Sequence, residues 1–364
     1  MNDKTKQLHD LGQSLWLDNI TRQILGDGTL KRYIDELSVT GLTSNPTIFE
    51  QAIAAGDSYD AQIGQLAAAG KSGEDLFFAV AMQDLTRAAD LFRPVHEATG
   101  GIDGWVSLEV SPLIADDATR TIEAARSLHK TAARPNLYIK IPGTPAGVEA
   151  IEESIFAGVP INVTLLFSRE QYLAAAEAYL RGIERRLAAG LDPKVESVAS
   201  LFVSRWDVAV KDQVTPEFRN KLGIAIAQRT YKAYRELLAS ARWQRLAAAG
   251  AHPQRLLWAS TGVKDPAASD TLYVEALAAP DTVNTIPEKT LKALADHGRI
   301  GAVMAADGGD AEAVIAELAR QGVDDAALAA RLQHDAAAAF SKSWASLLGG
   351  IRDKSAQLAT AGSK

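Results

Sequence analysis

Lys140 stands in the run LYIKIPGTPAGVEA, residues 137–150, among apolar neighbours and between Pro135 and Pro142. A continuous apolar run bounded by turn residues has the form of a parallel strand covered on both faces. Burial there disfavours an ammonium and leaves a free amine, a nucleophile able to form a Schiff base with a carbonyl. The other reading is a lysine on an edge strand whose head group snorkels to water.

Further polar residues lie in similar runs. Asp18 ends SLWLD, Ser44 and Asn45 follow VTGLT, and Glu109 lies in GWVSLEVSP. Asn162 and Thr164 lie in INVTLLFS, Ser200 and Arg205 in VASLFVSR, and Ser260, Thr261 and Lys264 at or after LLWAST. An amine among carboxylates, amides and hydroxyls is the equipment for imine formation followed by carbon–carbon bond cleavage. Asp18 reads as the group that takes a proton from a substrate hydroxyl, or as the N-cap of a helix starting at Asn19; the two roles are compatible. Glu109 needs a partner, since an unpaired carboxylate in a core strand is costly; Lys140, Thr164 or water would serve. With Thr164 it can hold the water that carries protons through carbinolamine formation and dehydration. Asn45, before Pro46, reads as a turn residue, whereas Asn162 inside an apolar run is suited to a hydroxylated substrate. Arg205 and Lys264, with Ser260, offer charge for a phosphate or are solvated surface cations.

These residues need a scaffold that brings distant segments together. About eight β-rich runs recur along the chain, at residues 14–18, 39–46, 104–112, 136–144, 161–168, 198–205, 256–261 and 281–287. Segments of helical periodicity separate them, which is the sequence form of a (β/α)8 TIM barrel, an α/β fold. In that architecture the active site lies at the C-terminal ends of the strands, where the polar residues above fall. Ser168 and Gln171 read as a capping box opening a helix that Gly190 stops. The 46–104 connection is long enough for extra helices. Leu328, Leu332, Ala336, Phe340, Trp344 and Leu348 step four residues at a time, an apolar stripe for docking on the barrel or on a second subunit. Gly100-Gly101 and Gly349-Gly350 read as turn punctuation or helix ends. No linker divides the chain, so residues 1–364 are expected to form a single barrel domain, with 302–364 a C-terminal helical extension packed on it.

Composition narrows the chemistry. The 364 residues are 47% hydrophobic and 23% charged, with no cysteine and a net charge of −7. That excludes disulfides and thiolate catalysis. It gives no electrostatic footprint for nucleic acid or anionic lipid. The six histidines, at 9, 96, 129, 252, 297 and 334, lack metal-ligand spacing, so no metal is expected. No dinucleotide or Walker loop and no nucleophile elbow is present, so no cofactor is expected. The N-terminus lacks an apolar h-region and no segment has the length of a membrane span, which points to the cytoplasm. The expected partner is a small molecule, with the chain a monomer or a homodimer.

The blocks GLTSNPTIFEQAI, SLEVSP, NLYIKIPGTPAGVEAI, GVPINVTLLFS, ASLFVSRWD and LLWASTGVKDP resemble those of the transaldolase family, in particular its bacterial longer-chain branch. The resemblance runs from about Leu15 to Leu294. It implies a metal-independent Schiff-base transferase of the pentose phosphate pathway. Such an enzyme moves a dihydroxyacetone unit from sedoheptulose 7-phosphate to glyceraldehyde 3-phosphate, giving erythrose 4-phosphate and fructose 6-phosphate. It further implies Lys140 as the Schiff-base lysine, Asp18 as the aldol acid/base, and Glu109 with Thr164 as the water-holding relay. Asn45, Asn162 and Ser200 would contact the dihydroxyacetone moiety, and Arg205 and Ser260 the phosphate. Shorter relatives carry an arginine after the serine of the seventh strand; here the sequence is STGVK and Lys264 is the nearest cation. The related fructose 6-phosphate aldolases, which release free dihydroxyacetone, carry glutamine and tyrosine where this chain has Glu109 and Phe202. A third reading is a phosphosugar-binding barrel without activity.

Overall fold

The computed structural model describes residues 2–361; Met1 and residues 362–364 of the expected unit lie outside that range. Eight strands, all parallel to their neighbours, close into a barrel: β1 (Gln13–Leu17), β2 (Val39–Thr43), β3 (Trp105–Glu109), β4 (Leu137–Pro142), β5 (Ile161–Leu166), β6 (Ser197–Phe202), β7 (Gln254–Ala259) and β8 (Thr282–Ile286). Each expected run holds one of them. β1 pairs with β8 as well as β2, so no strand has a free edge, and the edge-strand reading of Lys140 falls with it.

Alternation along each strand divides the side chains. Leu137, Ile139 and Ile141 of β4 face the helices in one apolar cluster. Tyr138, one residue out of phase, joins Trp16, Trp105, Val198, Leu257 and Val283 in a second cluster that fills the lower barrel. Trp105 stacks on Tyr138 with ring centroids 4.1 Å apart, and Trp16 crosses the same ring at 6.1 Å. Gly41 makes room for this plug: a Cβ there would lie 2.7 Å from Trp16 Nε1 and from the Trp105 carbonyl. Below the plug, Gln13, Ser14, Asp103, Ser197 and Gln254 close the strand N-termini with hydrogen bonds to one another and to Thr282 and Trp16; the polar groups open to a cavity lie above it, at the strand C-termini.

The 46–104 connection holds three helices, Pro46–Ala54, Asp60–Ala68 and Gly73–Ala98. After β5, Ser168 Oγ caps the helix Arg169–Ala188 by accepting from the Gln171 N–H at 3.1 Å. The reciprocal bond expected of a capping box goes one residue earlier, from the Phe167 N–H to Gln171 Oε1 at 2.7 Å.

A 37-residue helix, Asp325–Ala361, packs across the three helices of the long connection and reaches β5. Its stripe is buried: Leu328, Leu332, Ala336, Phe340 and Trp344 all face inward, followed by Leu347 and Ile351. Gly349 and Gly350 lie inside this helix rather than at its end. Buried anchors on both sides of the pair hold the helix through two residues of poor propensity. Trp344 meets Phe77 edge-on at 4.8 Å and donates from Nε1 to Glu74 at 2.8 Å. Trp344→Ala is expected to cost about 3–5 kcal/mol in denaturant unfolding; a loss below about 1 kcal/mol would contradict a tail held by this contact.

Candidate active site

Lys140 is central to β4, flanked in register by Glu109 of β3 and Asn162 of β5. Its Nζ donates to the Ser44 carbonyl at 3.0 Å and to Glu109 Oε2 at 3.1 Å. The two charged side chains are 7% and 6% exposed. The amine is therefore not held in a purely apolar strand interior; a carboxylate accompanies it. Burial raises the Glu109 carboxyl above its ordinary value, against the field and hydrogen bond of Lys140.

Asp18 follows β1 and its carboxylate accepts from Thr43 Oγ1 at 2.8 Å. Thr43 Oγ1 and Thr285 Oγ1 lie 2.7 Å apart, so neighbouring strands fix the Asp18 carboxylate from below. Asp18 is not a helix cap: the next helix starts at Arg22 and Thr21 caps it. The chain between Asp18 and Arg22 is non-helical, which leaves the carboxylate to the barrel mouth. Its desolvation raises the carboxyl, while the cations of Lys140 and Lys264 and the Thr43 bond pull it down.

A cavity of about 350 Å³ opens above these groups. Asp18, Asn45, Lys140, Thr164, Ser200, Phe202, Arg205, Ser260 and Lys264 line it together. Asn45 is the N-cap of the helix Pro46–Ala54, where its Oδ1 accepts from the Ile48 N–H at 3.0 Å; its amide NH2 stays available to the cavity. Thr164 Oγ1 is buried and has no protein partner. Ser260 adopts φ +54° and its Oγ lies 3.0 Å from Ser204 Oγ. Arg205 is half-buried, with its guanidinium 5.5 Å from the Phe202 ring centroid; burial alone lowers it from its ordinary value. Lys264 is exposed at the rim.

Asn162 and Glu109 are placed one step deeper. Asn162 is fully buried, donates to Ser107 Oγ at 3.1 Å and accepts from Ser200 Oγ at 2.7 Å. In register with Lys140 but much shorter, it ends below the layer that the lysine head reaches. Its effect on the cavity passes through Ser200, whose hydroxyl it orients.

Three lining residues carry no signal in the sequence. Thr43 and Thr285 look like ordinary β-branched strand residues, and alternation with Asn45 and Pro287 is the sole hint of their direction. Phe340 comes from the helix Asp325–Ala361, 200 residues beyond Lys140. In the sequence it is one more member of an apolar stripe.

Among the described residues no three His, Asp or Glu side chains gather as a metal site, and no helix is long and apolar enough to cross a membrane. The lysine, two carboxylates, hydroxyls and rim cations are instead complementary to a polyhydroxylated carbonyl compound with an anionic end.

Comparison with known proteins places this arrangement. The family described as transaldolase/fructose-6-phosphate aldolase matches residues 15–351. The transaldolase of Thermobifida fusca (strain YX) is 46% identical over 357 residues, covering 96% of this chain and 97% of the relative. That of Parafrankia sp. (strain EAN1pec) is 44% identical over 362 residues, covering 96% and 98%. The transaldolase of Renibacterium salmoninarum is 43% identical over 373 residues and covers both chains in full. With the barrel, the buried lysine and a match along nearly its whole length, the chain belongs to the transaldolase/fructose-6-phosphate aldolase family.

Proposed function

We propose that this protein is a transaldolase of the pentose phosphate pathway, acting in the cytoplasm on small sugar phosphates rather than on nucleic acid or membranes. It transfers a dihydroxyacetone unit from sedoheptulose 7-phosphate to glyceraldehyde 3-phosphate through a Schiff base on Lys140. The observation that carries the reading is the Lys140 amine 3.1 Å from Glu109, beneath a cavity that Asp18 and Thr164 also line.

The geometry supports a full cycle. Glu109 accepts the proton that the Lys140 ammonium must shed, and the amine attacks the ketose carbonyl at C2. Water leaves the resulting carbinolamine with protons relayed by Glu109 and the unpartnered Thr164 hydroxyl through a held water. The iminium then draws the electron pair of the C3–C4 bond as Asp18 takes the C4 hydroxyl proton. Erythrose 4-phosphate departs, and an enamine stays on the lysine. Its C3 attacks the aldehyde of glyceraldehyde 3-phosphate, Asp18 returns the proton, and hydrolysis frees fructose 6-phosphate.

Binding follows from the remaining wall. The Asn45 amide donates to dihydroxyacetone oxygens, and Ser200, whose proton is committed to Asn162, accepts from a hydroxyl. Arg205, Ser260 and Lys264 hold the phosphate at the far side of the cavity. Phe202 and Phe340 supply apolar surface that limits water around the enamine. The chain acts as one unit in this reading, because residues 302–361 contribute Phe340 to the same cavity as the barrel.

An assay coupled to erythrose 4-phosphate formation is expected to give robust transfer with the native protein and none above background with Lys140→Ala. Normal turnover by that variant would sink the assignment, and release of free dihydroxyacetone without an acceptor would make the protein an aldolase instead. A pH prediction follows from the raised carboxyls. Because Asp18 and Glu109 are pushed up, the ionised forms are lost early as pH falls, so the acid limb of kcat/KM lies above the ordinary carboxylate value of about 4. Lys264→Met removes a cation that favours ionised Asp18 and is expected to move that limb to higher pH; a limb that stays put or moves down would contradict it.

A further inference from the structure

The helix Asp325–Ala361 meets the barrel at a second point, through Gln333. The Gln333 amide nitrogen donates to the Leu165 carbonyl at 2.9 Å and to the Gly143 carbonyl at 3.0 Å. Gly143 follows β4, three residues after Lys140, and its own N–H donates to the Thr164 carbonyl at 2.7 Å. One side-chain NH2 group thus ties together the exits of the two strands that carry Lys140 and Thr164.

The backbone at this point is unusual. Leu165 has φ +59°, a left-handed conformation that a γ-branched side chain rarely adopts. The register of β5 on β6 slips between Val163 and Leu166, as it does at a bulge that re-aims a side chain. Leu165 accordingly packs with Phe167 and Phe202, while Val163 and Leu166 face the outer core. Thr164 lines the cavity, and its hydroxyl is buried without a protein partner. No glycine or asparagine at position 165 favours such a turn locally, so it must be held by tertiary contacts.

We propose that Gln333 is a positioning residue for the Schiff-base chemistry. By gripping the Leu165 and Gly143 carbonyls from outside the barrel, it fixes the β5 bulge and with it the direction of the Thr164 hydroxyl relative to Lys140. Gln333 does not line the cavity, so it acts on the proton relay and not on sugar-phosphate binding. The inference rests on Lys140 being the Schiff-base lysine.

A double-mutant cycle on the full chain tests it, with rapid-quench borohydride trapping of fructose 6-phosphate reading imine formation beside steady-state kcat and KM. Gln333→Ala is expected to slow imine formation and kcat about tenfold to a hundredfold, with KM within about threefold. In a Thr164→Ala background the same change is expected to cost less than about twofold, because the group it positions is already gone. Gln333→Glu fills the same space with no N–H to donate and is expected to lose as much as alanine, which keeps the series readable if alanine unfolds the tail. Additive losses in the cycle, unchanged imine formation, or losses that merely follow a fall in melting temperature would overturn the proposal. An adduct in the native protein alongside any of those results leaves the Lys140 reading standing; no adduct in the native protein removes both.

Discussion

The Lys140–Glu109 pair is the constraint around which the rest is arranged. A closed parallel barrel has no edge, so an amine on an inward position of β4 cannot snorkel to water around the side of the sheet. Two nearly buried charges 3.1 Å apart are tolerable because their mutual attraction offsets the desolvation of each, and the Ser44 carbonyl accepts a second hydrogen bond from the lysine. Removing either partner alone strands the other, at about 3–5 kcal/mol. In the proposed reaction the same proximity serves the chemistry, since a proton acceptor lies beside the lysine nitrogen. Structural cost and chemical competence therefore come from one contact.

That contact needs a dry floor and a defined mouth. The aromatic plug of Trp16, Trp105 and Tyr138 fills the lower barrel and separates the polar side chains at the strand C-termini from those at the N-termini. Above them, Asp18 is steadied by Thr43 and Thr285, and Ser200 by Asn162, so the groups that face the cavity are held by partners that do not. The C-terminal helix completes the enclosure. It contributes Phe340 to the wall and is anchored through Trp344 against the helix Gly73–Ala98. A segment remote in sequence is in this way part of the reaction chamber.

Much of this was legible in the amino-acid sequence. Strand periodicity and turn residues place all eight strands, and Lys140, Asp18, Thr164, Ser200 and Arg205 are conspicuous as polar residues at the ends of apolar runs. The part that was not legible has a common physical origin. Thr43, Thr285 and Gln333 act through the direction of one hydroxyl or amide, and direction depends on register and on a bulge that no local pattern announces. Asn162 shows the converse: its polarity is visible, but its depth below the cavity, in register with the longer Lys140, is not. The glycine pair at 349–350 reads as a stop because local propensity says so, and the buried stripe on both sides overrides it.

The most direct measurement of the central claim is reduction of the native protein with borohydride in the presence of fructose 6-phosphate, followed by mass mapping of its peptides. A three-carbon adduct on Lys140 is the expected result, since cleavage leaves the dihydroxyacetone unit on the lysine that lies against Glu109. An adduct on another lysine, or none at all from folded protein, would contradict a mechanism built on this pair.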